Sequence, residues 1–244
     1  EKNIFYFAEQ YINMDPEEYS VDFDIVSIDQ TSATADVIFA ANRHDTISDY
    51  LSIVKAGGIE VGTMDLEVLA LCDLYAYMKL PDSGTTLVTH IGRNTVLHIF
   101  LENGKFRYYE AGTCGGEYCS SMLTSLGKVR DDEVESVKMD IDAYEDSVTA
   151  KNVITNSYLP DLTGEMEHAV ISYMLMGGRP PERIYFSGGG ASIYGLFDVT
   201  NERFSVGSSL INPGSVINVS SAVAKQILDS RPAIMNIAVA MALR

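Results

Sequence analysis

Apolar and polar positions alternate along this chain in two rhythms, and the change of rhythm marks the elements. Ile4, Phe7, Ala8 and Tyr11 recur at helical spacing, which predicts a helix over 4–11 ended by Asp15-Pro16. Val21, Phe23 and Ile25 alternate with Asp22 and Asp24, the period of a half-buried strand. A second, nearly apolar strand covers 35–41. Asp45 is expected to cap a helix with Ile47, Tyr50, Leu51 and Val54 on one face, stopped by Gly57-Gly58. A strand over 59–64 then leads to Asp65 as a further cap. Leu66, Leu69, Ala70 and Tyr77 make a helical stripe, closed by Pro81.

The pattern restarts at Asp82-Ser83-Gly84. Three strands are expected over 86–91, 96–101 and 106–111. Gly92-Arg93-Asn94 joins the first two, and Asn103-Gly104 is a hairpin signal between the second and third. Helices follow over 117–126 and 131–139, then a long helical region over 143–176 interrupted at Pro160. A short strand over 183–186 runs into Ser187-Gly188-Gly189-Gly190, with helices expected over 193–203 and 233–243. Three meandering strands, a helix and then strand–helix units are the order of a ribonuclease-H-like half-domain, and the elements before Pro81 look like the end of another. Two such halves around a cleft make the actin-like architecture. The expected fold is therefore α/β and actin-like, with the N-terminal strands of the first half missing. Residues 1–81 are read as the remainder of the first domain with a small inserted subdomain, and 82–230 as the second domain containing the glycine turn. Residues 231–244 are read as a C-terminal helix returning to the first domain.

Composition narrows the partners. The 244 residues are 46% hydrophobic and 21% charged, ordinary for a packed globule. Seventeen basic residues stand against 34 acidic ones, a net charge of −17. Such a surface repels nucleic acid backbones and anionic lipid heads, so both are set aside, whereas a basic partner segment fits it. Cys72, Cys114 and Cys119 are few and odd in number, which points to a reducing, intracellular setting. No apolar run reaches the roughly 18 residues of a membrane span; the richest, over 234–243, is broken by Asn236. No signal peptide is seen, and a start at Glu1 with no Met suggests that the N-terminus is a cut.

Three places could carry chemistry. In the turn Ser187-Gly188-Gly189-Gly190, glycines between a strand and a helix let the backbone approach a ligand and present N–H groups to an anion; a bare tight turn is the alternative. The hairpin Ile91-Gly92-Arg93-Asn94-Thr95 can offer N–H groups and a hydroxyl to a phosphate, or be only a turn. Glu135 and Lys138 lie three apart on one helix face, either as a solvated ion pair or as hydrogen-bonding partners for a sugar or base edge. Cys114 and Cys119 have poor zinc spacing and read as structural thiols. His90 and His98 sit on neighbouring strands, where a shared metal is the less favoured reading, and His44 and His168 form no pattern. No metal site and no catalytic residue is assigned. No Walker A lysine and no Gly-x-Ser-x-Gly elbow is present.

These places, together with Ala8 to Ile12, Ala56-Gly57-Gly58-Ile59, Met64-Asp65-Leu66-Glu67, Gly115-Gly116, Asn212-Pro213 and the closing run from Ala238, support a resemblance. In order and spacing the chain resembles the PilM family, actin-like cytoplasmic proteins of type IV pilus assembly related to FtsA. The resemblance implies ATP in an interdomain cleft, usually with magnesium. It places Gly92, Arg93, Asn94 and Thr95 at the second phosphate loop, Glu135 and Lys138 at the ribose or base, and Gly188, Gly189 and Gly190 behind the adenosine. It implies a cytoplasmic scaffold, peripheral at the inner membrane, that binds the cytoplasmic tail of a PilN-like protein and other pilus assembly proteins. Two departures qualify this. His90 stands where the family usually has an aspartate to manage magnesium, so ATP binding without efficient hydrolysis is expected. The family's first phosphate loop does not precede Glu1, so binding is expected to be weakened to the extent that the loop is missing. An actin-like ATPase or phosphotransferase, and a nucleotide-free interaction module of the same fold, are the alternatives.

Overall fold

The computed structural model describes residues 11–12, 15–217 and 221–243. The helix expected over 4–11 lies outside them, apart from Tyr11. The chain forms two compact units, Glu1–Leu66 and Glu67–Arg244.

In the first unit, β1 (Tyr19–Asp29) pairs antiparallel with β2 (Thr34–Arg43), from Tyr19 opposite Arg43 to Asp29 opposite Thr34. Asp29 shapes the turn by accepting from the Thr31 backbone N–H at 2.8 Å. The helix α1 (His44–Ala56) follows, capped by Arg43 and not by Asp45. Asp45 lies inside the first turn, 2.8 Å from Arg43 Nη2, where its charge also suits the helix N-terminus. Gly57 ends the helix as expected. The apolar face read from the sequence is not buried: Tyr50 is 61% exposed and Leu51 37%, and no residue of the helix is buried. Residues 59–64 form no strand, because the segment has no ladder partner to take its backbone groups.

The second unit begins with α2 (Glu67–Tyr77). Its buried side chains are Val68, Ala70, Leu71, Leu74 and Tyr75, while Leu66 and Tyr77 are exposed, which corrects the stripe read from the sequence. Too many neighbouring positions are apolar for spacing alone to pick the face. A five-stranded sheet follows, in the order β5 (Lys105–Gly112), β4 (Val96–Glu102), β3 (Thr85–Ile91), β6 (Arg183–Ser187), β7 (Ser208–Leu210). The first three strands meander antiparallel, and β6 and β7 add in parallel. Asn103 (φ 52°) and Gly104 (φ 73°) turn β4 into β5, both in the left-handed region that a tight hairpin demands.

Alternation along the strands sorts the core into two faces. Leu87, Ile91, Val96, Phe100, Ile184 and Phe186 look to one side. There they meet α3 (Gly116–Ser125), α4 (Val134–Met139), α5 (Ser147–Val153), α6 (Leu159–Leu175) and α7 (Leu196–Phe204). Val88, Leu97, Ile99 and Leu101 look to the other, under α2 and the C-terminal α9 (Asn236–Ala242). A π-helical turn over Ile154–Tyr158 joins α5 to α6, and Pro160 then sits in the first turn of α6, so the expected interruption is a widened turn in a continuous rod. The sequence pattern did not show β7 or α8 (Ala222–Ser230). It also started α7 and α9 too early, at Ile193 and Ala233.

His98 pairs with Thr89 across the β3–β4 ladder, and its Nδ1 lies 3.3 Å from Thr89 Oγ1. His90, one residue on, points to the opposite face, so the two histidines cannot share a metal. Burial pushes the pKa of each down from 6.5 to about 4. Between those values the unfolded chain binds protons that the folded chain refuses, so stability present above pH 6.5 is lost as the pH falls towards 4. Each histidine contributes a slope of up to about 1.4 kcal/mol per pH unit. Chemical denaturation at pH 7 and pH 5 is expected to show this loss, and His98→Leu should make it shallower; an unchanged slope would contradict the assignment.

Candidate functional site

The site is built where β3 and β6 end. Their parallel register runs from Thr86 opposite Arg183 to His90 opposite Ser187, so the hairpin after β3 and the glycine turn after β6 leave the same edge of the sheet side by side. Carboxyl ends of adjacent strands whose connections diverge are where α/β sheets take ligands.

Three glycine positions let the pieces touch. A Cβ on Gly188 (φ +88°) would lie 2.4 Å from Ile91 O, and one on Gly190 2.2 Å from Ile91 Cγ2. A Cβ on Gly115 would lie 2.5 Å from Arg93 O. The glycine turn thus packs on the last residue of β3, and the start of α3 packs on the hairpin. The hairpin is held firmly: Gly92 N–H donates to Thr95 O at 3.0 Å, and the carbonyls of Gly92 and Arg93 accept from Gly116 N–H (2.9 Å) and Glu117 N–H (2.7 Å). The backbone N–H groups of Arg93 and Asn94, at the tip, have no acceptor among the described residues. Arg93 is 80% exposed and pairs with Glu117 at 3.1 Å, a surface contact that a ligand can displace.

The glycine turn differs from its expected form. It enters a single 3-10 turn, Gly189–Ser192, and not α7, which starts afresh at Leu196 after the left-handed Gly195. Gly188 N–H is spent on Ala233 O at 3.1 Å. The N–H groups of Gly189 and Gly190, at the start of the 3-10 turn, bond to nothing among the described residues.

Glu135 and Lys138 share a face of α4, as their spacing requires, and pair at 2.6 Å. Lys138 also donates to Gly116 O (3.0 Å) and Ser120 Oγ (2.7 Å), so all three ammonium protons are taken by the protein. This ties α4 to the first turn of α3, directly behind the hairpin. Glu135 is 68% exposed and keeps one oxygen open. Burial raises its pKa, but the Lys138 and Ser120 hydrogen bonds outweigh this and hold it below the usual carboxylate range. The structure therefore links hairpin, α3, Lys138 and Glu135 in one chain of contacts, and the glycine turn joins it through Ile91.

Two residues of this neighbourhood escaped the sequence reading. Ser120 bridges Lys138, Glu135 and Gly116 O, and no local pattern marks it. Asn236 donates from Nδ2 to Ser187 Oγ (2.9 Å) and Ile211 O (3.1 Å) beneath the glycine turn. A fully buried amide in an otherwise apolar run was the available signal. Elsewhere, burial pushes the Cys114 and Cys119 thiols up to about 12, which suits inert core residues. No group of three or more His, Cys, Asp and Glu side chains suited to a metal occurs among the described residues.

The sheet order, with helices on both faces, defines an α/β protein of actin-like fold. The chain belongs to the type IV pilus assembly protein PilM family, whose sequence model matches residues 1–244. It is similar in structure to a chain of the "PilM-PilN type IV pilus biogenesis complex", with a TM-score of 0.82 at 20% identity over 100% of this chain and 71% of that one. More distant likenesses are MreB 5 of Spiroplasma citri bound to AMPPNP and the ethanolamine utilization protein EutJ from Carboxydothermus hydrogenoformans. The first has a TM-score of 0.55 at 14% identity, over 83% of this chain and 64% of that one. The second has a TM-score of 0.50 at 14% identity, over 93% of each chain. No curated protein matches by sequence.

Gly188→Ala is expected to destabilise by about 2–3 kcal/mol, combining a left-handed backbone with a clash against Ile91 O. Gly177→Ala shares the backbone strain (φ +92°) in open space and should cost only about 1 kcal/mol. Urea unfolding of both variants measures the difference; equal losses would mean that the turn does not press on β3.

Proposed function

We propose that this chain is a nucleotide-binding scaffold of type IV pilus assembly that engages the cytoplasmic tail of a PilN-like inner-membrane protein. The observation that carries the reading is the likeness of its whole length to PilM in a solved complex with PilN. The acidic surface, −17 overall, supports it by favouring a tail with basic residues. No helix among the described residues is long and apolar enough to cross a membrane.

For the nucleotide, the support is local. The hairpin and the glycine turn leave the same edge of the sheet, and the N–H groups of Arg93, Asn94, Gly189 and Gly190 have no acceptor among the described residues. In this reading Gly92 to Thr95 take the phosphates, Gly188 to Gly190 back the adenosine, and the open oxygen of Glu135 accepts from a ribose hydroxyl. Lys138 acts by positioning Glu135 and α3, since its own donors are taken. Residues 1–81 contribute to the first actin-like domain, 82–230 form the second, and 231–244 return to the first. The hairpin is already held in place by α3 and Lys138, and the function is binding, with no turnover assigned.

The test is a pull-down of the chain by an immobilised peptide of the PilN cytoplasmic tail, with and without ATP. Retention in at least one condition is expected, and retention in neither would refute the scaffold reading. Thermal unfolding checks the nucleotide separately. A ligand that binds the native state at a hundred times its Kd adds about 2.7 kcal/mol, so millimolar ATP should raise the midpoint by several degrees; no shift would leave the fold an interaction module alone.

A further inference from the structure

We propose that His90 is a phosphate-contacting residue of this site, presenting a neutral Nε2–H to the phosphates of a nucleotide between the Gly92 hairpin and the Gly188 turn, with no divalent ion required for that contact. The inference rests on the nucleotide reading above and adds to it a residue, a protonation state and a metal requirement.

Hydrogen-bond bookkeeping fixes the tautomer. Asn236 Nδ2 lies 3.1 Å from Ile211 O, a carbonyl that can only accept, so the amide nitrogen, and not its oxygen, faces this side. The same nitrogen therefore donates to Ser187 Oγ at 2.9 Å. The Ser187 hydroxyl has one proton left to give and one acceptor in reach, His90 Nδ1 at 3.0 Å. His90 Nδ1 thus accepts, and the ring proton resides on Nε2. Protonating Nδ1 as well would leave the buried Ser187 hydroxyl proton without an acceptor. Burial acts in the same direction, moving the imidazole pKa down to about 4 and keeping the ring neutral at physiological pH.

Geometry places that proton at the cradle. The His90 ring lies against both Gly92 of the candidate phosphate hairpin and Gly188 of the turn assigned behind the adenosine. Its Cε1 is 3.0 Å from where a Cβ of Gly188 would stand, and its Nε2 is 4.0 Å from where a Cβ of Gly92 would stand. The residue is only 9% exposed, and Nε2, which has no partner among the described residues, is not one of the fully buried atoms. It is the ring's open donor, free for an anion held by the N–H groups of Arg93 and Asn94.

The same surroundings do not fit magnesium, which asks for hard oxygen ligands in octahedral array. Around the hairpin and the start of α3, Glu117 is paired with Arg93, Glu135 with Lys138, and Glu165 is held by the Thr113 and Cys114 N–H groups. A neutral imidazole N–H is a donor to phosphate and has no lone pair for a metal. The chain's own residues at this edge therefore meet phosphate charge with N–H dipoles and Arg93.

Isothermal titration of the chain with ADP and with adenosine, in EDTA and in magnesium, tests this. Wild type should bind ADP in EDTA about as tightly as in magnesium. His90→Asn keeps an acceptor for Ser187 but does not reach the cradle, and should weaken ADP about ten-fold while leaving adenosine unchanged. His90→Gln, whose amide N–H reaches the Nε2 position, should restore most of the loss. ADP binding that requires magnesium, an unaffected His90→Asn, or equal losses for ADP and adenosine would overturn the inference and leave the nucleotide reading standing. Binding of neither ligand in either medium would overturn both. Independently of any variant, long-range 15N–1H spectra of the histidine-labelled wild type should show His90 as the Nε2–H tautomer, shifting with ADP and not with adenosine. The Nδ1–H tautomer would contradict the assignment.

Discussion

The candidate site depends on one pairing, the parallel ladder between β3 and β6. It sets His90 opposite Ser187 although 97 positions separate them, and everything at the cradle follows from that register. The next residues of each strand are then forced together, so Gly188 and Gly190 must lack side chains where they meet Ile91. A one-residue slip would turn His90 to the other face and put Ile91 where the imidazole now lies. The cradle is thus a consequence of sheet register more than of loop sequence.

A second layer of contacts makes the cradle rigid. The hairpin does not stand free; its carbonyls take the first N–H groups of α3, and α3 is fastened to α4 by two bonds of the Lys138 ammonium, to Gly116 O and Ser120 Oγ. Groups that a sequence reading treats as ligand contacts divide into two kinds here. Lys138 is consumed by the scaffold, while the tip N–H groups, Arg93 and one oxygen of Glu135 remain outward. Preorganised donors of this kind bind without the entropic cost of ordering a loop.

Much of this was legible in the sequence, for identifiable reasons. Asn103-Gly104 announced its hairpin because few residues tolerate two successive left-handed positions. The β3, β4 and β5 strands were readable from apolar runs between turn residues, and their order carried the fold class. Where the reading failed, the deciding information was nonlocal. Residues 59–64 look like a strand, but a strand needs a partner that no local pattern can supply. The buried face of α2 was hidden by an excess of apolar residues, and Asp45 lost the cap position to Arg43 while gaining an ion pair with it. The roles of Ser120 and Asn236 arise from tertiary contacts across 15 and 49 positions, respectively, which spacing cannot show.

The central claim is that the edge of the sheet between the Gly92 hairpin and the Gly188 turn holds the phosphates of a nucleotide. A crystal structure of the chain grown with ADP in the absence of magnesium tests it most directly. The account predicts density for the diphosphate at the Gly92 hairpin and for the adenosine against the Gly188 turn, with a phosphate oxygen within hydrogen-bonding distance of His90 Nε2. Clear ADP density elsewhere on the molecule, with this edge of the sheet left to solvent, would contradict it.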